Sequence, residues 1–179
     1  ELHDGMRVLD MCTGSGCILL SLLHYSNDCE GLGVDLSAEA LEVAGRNVLK
    51  VLTPEKAEHA HFLQSDLFEK VEGKFEIIAS AEVEKLMPEV RDHEPRMALD
   101  GTEDGLHFYR RIIEEAGKHL VSSGMLFFEI GYDQGQAVSE LMRTEGYCDV
   151  QVVQDYAGLD RVVFGTYVTV QPAPFAKSR

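Results

Sequence analysis

The sequence predicts an α/β fold: a mostly parallel, seven-stranded sheet with helices on both faces, ending in an antiparallel hairpin. Three observations lead there. Short β-like runs alternate with longer helical ones along the 179 residues, the rhythm of a parallel sheet with crossover helices. A Gly-rich turn joins the first strand to the first helix. Two strand-like runs near the C-terminus are separated by only a short turn, whereas a parallel crossover needs a dozen or more residues.

The elements follow in order. Arg7–Asp10 reads as the first strand and Cys17–Tyr25 as the first helix. Gly31–Asp35 is a short second strand ending on an acid. Ser37 reads as an N-cap, with Ala40 and Leu41 opening a helix that runs to about Leu52. The third strand is about His61–Gln64 and the fourth Phe75–Ser80. A helix over about Leu106–His119 carries Phe108, Ile112, Ile113 and Ala116 at a spacing that suits one buried face. Ser123-Gly124 reads as a turn into a fifth strand, Met125–Ile130, and a helix follows over about Gln136–Glu145. Val150–Gln154 and Arg161–Tyr167 form the closing hairpin about Gly158. The tail from Val170 contains Pro172 and Pro174 and reads as a loose extension.

Bulk properties narrow the function classes. The chain has room for one substantial core and hardly for two. Its 31 acidic residues against 16 basic ones give a net charge of -15, which repels a phosphate backbone and argues against direct nucleic-acid binding. The basic stretches, Arg110-Arg111 and Arg91 with Arg96, are short and flanked by acids. Apolar runs such as Ile18–Leu23 are far too short to span a bilayer, and no leader precedes Arg7, so the expectation is a cytoplasmic chain without membrane contact. Cys12, Cys17, Cys29 and Cys148 show no CxxC pairing, and reduced, mostly buried thiols are expected rather than zinc or a redox dithiol. His59 and His61 alternate along a strand edge and read as surface residues.

The strongest constellation is Val8-Leu9-Asp10-Met11-Cys12-Thr13-Gly14-Ser15-Gly16, where a strand gives way to a helix. Gly14 and Gly16 let backbone approach a ligand, and the following helix offers its N-terminal N–H groups. A tight turn alone would explain these glycines about as well. Asp35 tips the balance, since it lies at the end of the second strand about twenty residues on, where a carboxylate can take both hydroxyls of a ribose. A dinucleotide fingerprint wants a third glycine where Leu19 stands. Asp66, after the third strand, can accept from an adenine amino group while Leu67 or Phe68 packs on the ring. A ligand with adenine and ribose but no pyrophosphate fits these groups better than NAD.

Taken together, these pieces resemble the protein-(glutamine-N5) methyltransferases that modify peptide chain release factors, a class I (Rossmann-like) family. The resemblance covers nearly the whole chain. Its most specific stretches are Leu9 to Gly16, Gln64-Ser65-Asp66-Leu67-Phe68, Glu94-Pro95-Arg96-Met97-Ala98-Leu99-Asp100-Gly101, Glu103-Asp104-Gly105-Leu106 and Phe128-Glu129-Ile130-Gly131. It implies S-adenosyl-L-methionine as cofactor and methyl transfer to the glutamine amide nitrogen of a Gly-Gly-Gln motif in a release factor. Carried over by position, Cys12, Thr13, Gly14, Ser15 and Gly16 would line the methionine part, Asp35 and Leu36 the ribose, and Asp66 and Leu67 the adenine, with Ser80 closing the site. No metal is implied. Residues 1–169 would be the catalytic domain and 170–179 a tail. The family's N-terminal helical domain is absent, so the chain reads as a fragment.

Two departures accompany the match. Cys12 stands where such enzymes place their first loop glycine, an exchange expected to be tolerable if the backbone there is not at positive φ. After the fourth strand the family carries Asn-Pro-Pro-Tyr, whose Asn side chain and Pro carbonyl aim the amide nitrogen at the methyl group. Here Ser80 runs into Ala81-Glu82-Val83-Glu84, and no catalytic residue can be named. The match resumes cleanly at Leu86-Met87-Pro88-Glu89-Val90, which favours an omitted segment over a true loss. True loss would leave a non-catalytic cofactor-binding module. An adenine-N6 nucleic-acid methyltransferase shares the missing motif, but the acidic charge counts against it. Glu94, Glu103, Asp104 and Glu129 show no metal-ligand spacing, and no hydrolytic triad can be read from their order.

Overall fold

A computed structural model describes residue 3, residues 5–81 and residues 105–168. Seven strands lie in the order β3-β2-β1-β4-β5-β7-β6: β1 Arg7–Met11, β2 Glu30–Asp35, β3 Ala60–Gln64, β4 Phe75–Ser80, β5 Leu120–Glu129, β6 Tyr147–Gln154 and β7 Asp160–Tyr167. The first five pair in parallel. β7 runs antiparallel to both β5 and β6, so the closing hairpin is present as expected. Among the described residues five helices connect the strands: α1 Cys17–Tyr25, α2 Ala38–Val51, α3 Pro54–Ala57, α4 His107–Ala116 and α5 Gly135–Thr144.

The middle of the sheet shows why these residues make these elements. In β1, Val8, Leu9 and Met11 are all fully buried, because a central parallel strand is covered on both faces; Asp10 alone interrupts its apolar run. Val8 packs with Leu19, Leu20 and Leu23 of α1 on one side. Leu9 and Met11 pack with Ile112, Ile113 and Ala116 of α4 and with Val138 and Met142 of α5 on the other. Ser37 caps α2 by accepting from the Ala40 N–H at 3.2 Å, as its position before the apolar run suggests. From β1 the chain winds outward to β2 and β3, then returns to lay β4 on β1's other side. The β1/β4 boundary is the switch point where ligands of open α/β sheets bind, beyond the carboxyl ends of the strands.

Three local readings differ from expectation. Ser123-Gly124 is no turn into β5 but an irregularity within it: Phe75 pairs with Leu120 and Ile77 already with Met125, the intervening residues bulging out. Ser123 sits there at φ 67. A Ser-Gly pair signals a backbone break equally well as a turn or a bulge. β6 begins at Tyr147, whose ring is buried and whose hydroxyl donates to the Ile113 carbonyl at 3.2 Å, earlier than the β-branched run at Val150. Helix α3 was not anticipated; it is one turn, opened by Pro54 behind a Thr53 cap. The segment holding Glu94, Glu103 and Asp104, and the tail after Tyr167 from residue 169, lie outside the described residues.

Gly31 gives a test of the packing between β2 and α1. A Cβ there would come within 2.7 Å of the Leu19 Cδ1, and Leu19 is fully buried with no room to yield. Gly31→Ala is expected to cost about 1–3 kcal/mol, read as a lowered urea midpoint with an unchanged m-value.

Candidate active site

The site is built on one carboxylate. Asp35, at the C-terminal end of β2, is almost fully buried. Its Oδ2 accepts from the Gly14 N–H and its Oδ1 from the Ser37 N–H, each at 2.9 Å. The backbone adds two ties: the Thr13 N–H donates to the Val34 carbonyl at 2.9 Å and the Ser65 N–H to the Asp35 carbonyl at 3.0 Å. Three loops, those following β1, β2 and β3, are thereby held to one strand end. Each Asp35 oxygen keeps a second lone pair, so two further donors, such as vicinal hydroxyls, can still be accepted.

The glycine turn is shaped by its backbone. Gly14 and Gly16 lie at φ 55 and 80, in the left-handed region that glycine enters freely. Gly16 caps α1 without any side-chain bond to the helix N–H groups. Cys12 corrects an expectation: it too lies at positive φ, 58°, so the exchange of a glycine there carries strain of about 1–2 kcal/mol. Burial, and then the carboxylates of Asp35, Asp10 and Asp66, push the Cys12 thiol up to about 12, so it stays protonated and unreactive. The thiols as a group also depart from expectation. Cys29 is buried, but Cys17 and Cys148 are exposed, and all four are free.

Cys12, Asp35, Leu36, Asp66 and Leu67 line one pocket together with Met11, Val34, Ser65 and Phe108. Leu36 is 45% exposed at its rim. Of the alternatives Leu67 or Phe68, Leu67 lines the pocket, whereas Phe68 stacks on His119 with centroids 4.8 Å apart. Thr13, Gly14, Ser15 and Gly16 form the adjoining turn. Ser80 sits at the end of β4 beside Met11 but lines a separate cavity of about 620 Å³ with Ile18, Leu22, Ile77, Met125 and Phe127. Those walls are apolar and offer little to a polar nucleotide. Glu129, at the end of β5, borders the same cavity.

Three site residues escaped the sequence reading. Arg111 donates to Asp66 Oδ1 at 3.0 Å, and Phe108 stands one turn before it on the same face of α4, since residues three apart share a helix face. Asp10 lies in the middle of β1, 1% exposed. Its Oδ2 accepts from the Thr13 hydroxyl at 2.6 Å and the Leu19 N–H at 3.2 Å, while Oδ1 has no partner among the described residues. An acid inside an otherwise buried strand was the available signal, because such groups are buried only with partners.

These groups suit a ligand with a ribose and an amino-bearing base: an acid with spare acceptors at a strand end, a second acid beyond the next strand, and an apolar wall. The partly open space is about 20 Å³, room for about one water molecule. Phe108 lines it, and Arg111 is paired with its Asp66. Among the described residues no cluster of three His, Cys, Asp or Glu side chains could hold a metal ion.

The sequence profile of the methyltransferase-domain family matches residues 2–120. The chain belongs to that family. Among relatives, it is 41% identical over 169 residues to a release factor glutamine methyltransferase of Thermodesulfovibrio yellowstonii, covering 90% of this chain and 59% of that protein. It is 42% identical to the protein of the same name from Agrobacterium fabrum, covering 88% and 56%. The chain thus spans under two thirds of the length of these relatives. In fold it is similar to a methyltransferase from Pyrococcus furiosus, TM-score 0.71 at 18% identity over 94% of this chain and 78% of the other. It is also similar to an RNA methyltransferase from Salinibacter ruber in complex with S-adenosyl-L-homocysteine, TM-score 0.60 at 17% identity over 94% and 85%. The sheet is that of the class I, Rossmann-like methyltransferases.

Two measurements probe this site without any ligand. Burial, only partly offset by the Thr13 and Leu19 bonds, raises the Asp10 carboxyl from 3.8 to about 6. The folded chain therefore holds a proton up to about pH 6 that the unfolded chain releases near 3.8. Stability is lost as pH rises through that window. Asp10→Asn lacks this titration, so its unfolding free energy relative to the unmodified chain is expected to rise from about pH 4 and level off above about pH 6, by on the order of 3 kcal/mol in all, read as a widening difference in melting temperature by calorimetry. At Cys12, Gly is expected to match or gain up to about 1 kcal/mol and the β-branched Val to lose about 1–2 kcal/mol. Urea midpoints would order the three chains Gly, Cys, Val.

Proposed function

We propose that this chain is the catalytic domain of a cytoplasmic release factor glutamine methyltransferase, using S-adenosyl-L-methionine to methylate the glutamine amide of a Gly-Gly-Gln motif. The observation that carries the reading is the level of identity, 36 to 42% across about nine tenths of the chain, to eight proteins of that one name. The geometry supports it through Asp35 and Asp66, acids that follow neighbouring strands and line one pocket.

The bound cofactor supplies an electrophilic methyl group on a sulfonium. The chain's own residues do the binding and aiming. Asp35 would accept both ribose hydroxyls with the lone pairs that Gly14 and Ser37 leave free. Asp66 would accept the adenine amino group, and Leu67 with Leu36 would cover the ring faces. The turn Cys12, Thr13, Gly14, Ser15, Gly16 would face the methionine part, and the end of β4 at Ser80 would border the acceptor side. The acceptor is an amide nitrogen, a weak nucleophile whose lone pair is delocalised. Positioning it in line with the methyl carbon is the main contribution asked of the protein. As the new N–C bond forms the C–S bond breaks, and the nitrogen's proton leaves to water.

A second reading is favoured by one observation: Ser80 is followed by Ala81-Glu82-Val83-Glu84, and the acceptor-aiming Asn-Pro-Pro-Tyr is missing. On that reading the chain binds the cofactor and transfers nothing. Calorimetric titration with S-adenosyl-L-homocysteine, followed by incubation with S-adenosyl-L-methionine and a release factor, separates the two. Binding with one methyl added to the Gly-Gly-Gln peptide by mass spectrometry is the expected outcome. Binding without the added methyl means the module. Asp35→Ala removes charged hydrogen bonds worth about 1.5–3 kcal/mol each, so the affinity is expected to drop at least tenfold. An unchanged affinity would remove Asp35 from the site.

A further inference from the structure

We propose that the β6–β7 turn, residues 155–159 with Tyr132 beside it, is a second docking point for the protein substrate, taking an apolar segment flanked by basic side chains. The inference rests on the release-factor reading for what the partner is, and on the following observations for where it sits.

Ten large apolar side chains are exposed among the described residues, and four of them, Val152, Val153, Tyr156 and Leu159, belong to this hairpin. Tyr156 is fully exposed and Tyr132, on the loop after β5, is 62% exposed. Val152 and Val153, consecutive on β6, face opposite sides of the sheet; Tyr156 and Leu159 stand at the turn itself beside the loop of Tyr132, and it is that local grouping that marks an interaction surface. The turn is rigid. Asp155 Oδ1 accepts from the Ala157 and Leu159 N–H groups at 2.9 and 3.1 Å. Its Oδ2 accepts from Arg161 at 3.2 Å. The Asp155 N–H donates to the Leu159 carbonyl at 2.8 Å. An aromatic ring on a pre-ordered turn loses little freedom on binding, which is the character of an interface anchor.

Position and charge select the occupant. β7 is antiparallel to β5, so the turn rises beyond the carboxyl end of β5, the edge where the candidate site lies. The Ile130 N–H bonds the Arg161 carbonyl at 2.9 Å, and Gly135 lies so near Asp160 that a Cβ would overlap its carboxylate. The loop carrying Tyr132 and the hairpin are thus one surface. Arg161 is the one Lys or Arg in residues 147–167, and Asp155 already neutralises it. Glu129 and Asp133 are exposed, and among the described residues neither is in an ion pair. On a chain of net charge -15, this rim draws a basic partner and disfavours an acidic one.

The test compares the unmodified chain with Tyr156→Ser/Leu159→Ser and with Asp133→Lys. Affinity for an intact release factor is read by biolayer interferometry, that for S-adenosyl-L-homocysteine by calorimetry, and self-association by sedimentation. The expected result is about a tenfold or greater loss of release-factor affinity in the double variant, a smaller loss in Asp133→Lys that vanishes at high salt, and unchanged cofactor affinity. Equal release-factor affinity in all three chains would overturn the docking surface while leaving the substrate reading intact. No release-factor affinity in the unmodified chain, with the cofactor still bound, would overturn both. A dimer that the double variant converts to monomer would assign the turn to a second copy and overturn the proposal.

Discussion

The two hydrogen bonds that Asp35 accepts from Gly14 and Ser37 are the constraint on which the ligand end of the sheet depends. Without them Gly14 itself would have no tie to β2, and the turn would hang on the bonds of Thr13, Ser15 and Gly16 alone. With them, the start of α1 and the cap of α2 are referred to one buried carboxylate at the end of β2. Burying that charge is costly unless donors meet it. The backbone N–H groups that meet it must then stay where they are, so the desolvation of Asp35 and the rigidity of the turn are one fact.

Asp10 shows the same economy one strand over, with less compensation. Its Oδ2 has two donors and its Oδ1 none among the described residues, and burial, only partly offset by those donors, raises its carboxyl. Thr13 links the two, since its hydroxyl serves Asp10 while its N–H serves Val34. The glycine turn is therefore clamped from β1 and from β2 at once. Cys12 can hold a left-handed backbone in this setting because its neighbours leave it no alternative, which is how strain persists at such sites.

The parts of the fold set by local rules were legible in the sequence. Strand β4 was read to the residue, because Phe75–Ser80 follows a Gly73 break and carries the apolar run Ile77-Ile78-Ala79. Asp35 and the glycines were read because strand, turn and acid occur at a spacing tied to a physical purpose. What escaped was long-range. Nothing local says that Ser123-Gly124 bulges instead of turning, since that depends on how β4 lies alongside. Arg111 read as part of a basic pair on a helix; its partner Asp66 is 45 residues earlier, and only the packing of α4 on the sheet brings them together. Phe68 and Leu67 looked interchangeable in sequence. The backbone at Leu67, at φ 44, turns one into the pocket and the other onto His119.

Adaptation to a ligand must therefore be unequal across the site. On the Asp35 side the groups are buried and tied by backbone bonds, and moving them would expose unpaired N–H groups at about 1–3 kcal/mol each. On the Asp66 side the holding interaction is a single ion pair whose partners are 29% and 36% exposed, worth about 1 kcal/mol or less. Phe108 beside it is only half-buried. On the reading proposed above, a base at this pocket would displace Arg111 at small cost, with Asp66 exchanging one donor for another. The ribose end would then be the fixed reference and the base end the yielding one, the sugar's contacts set by the fold and the base's as α4 settles against it.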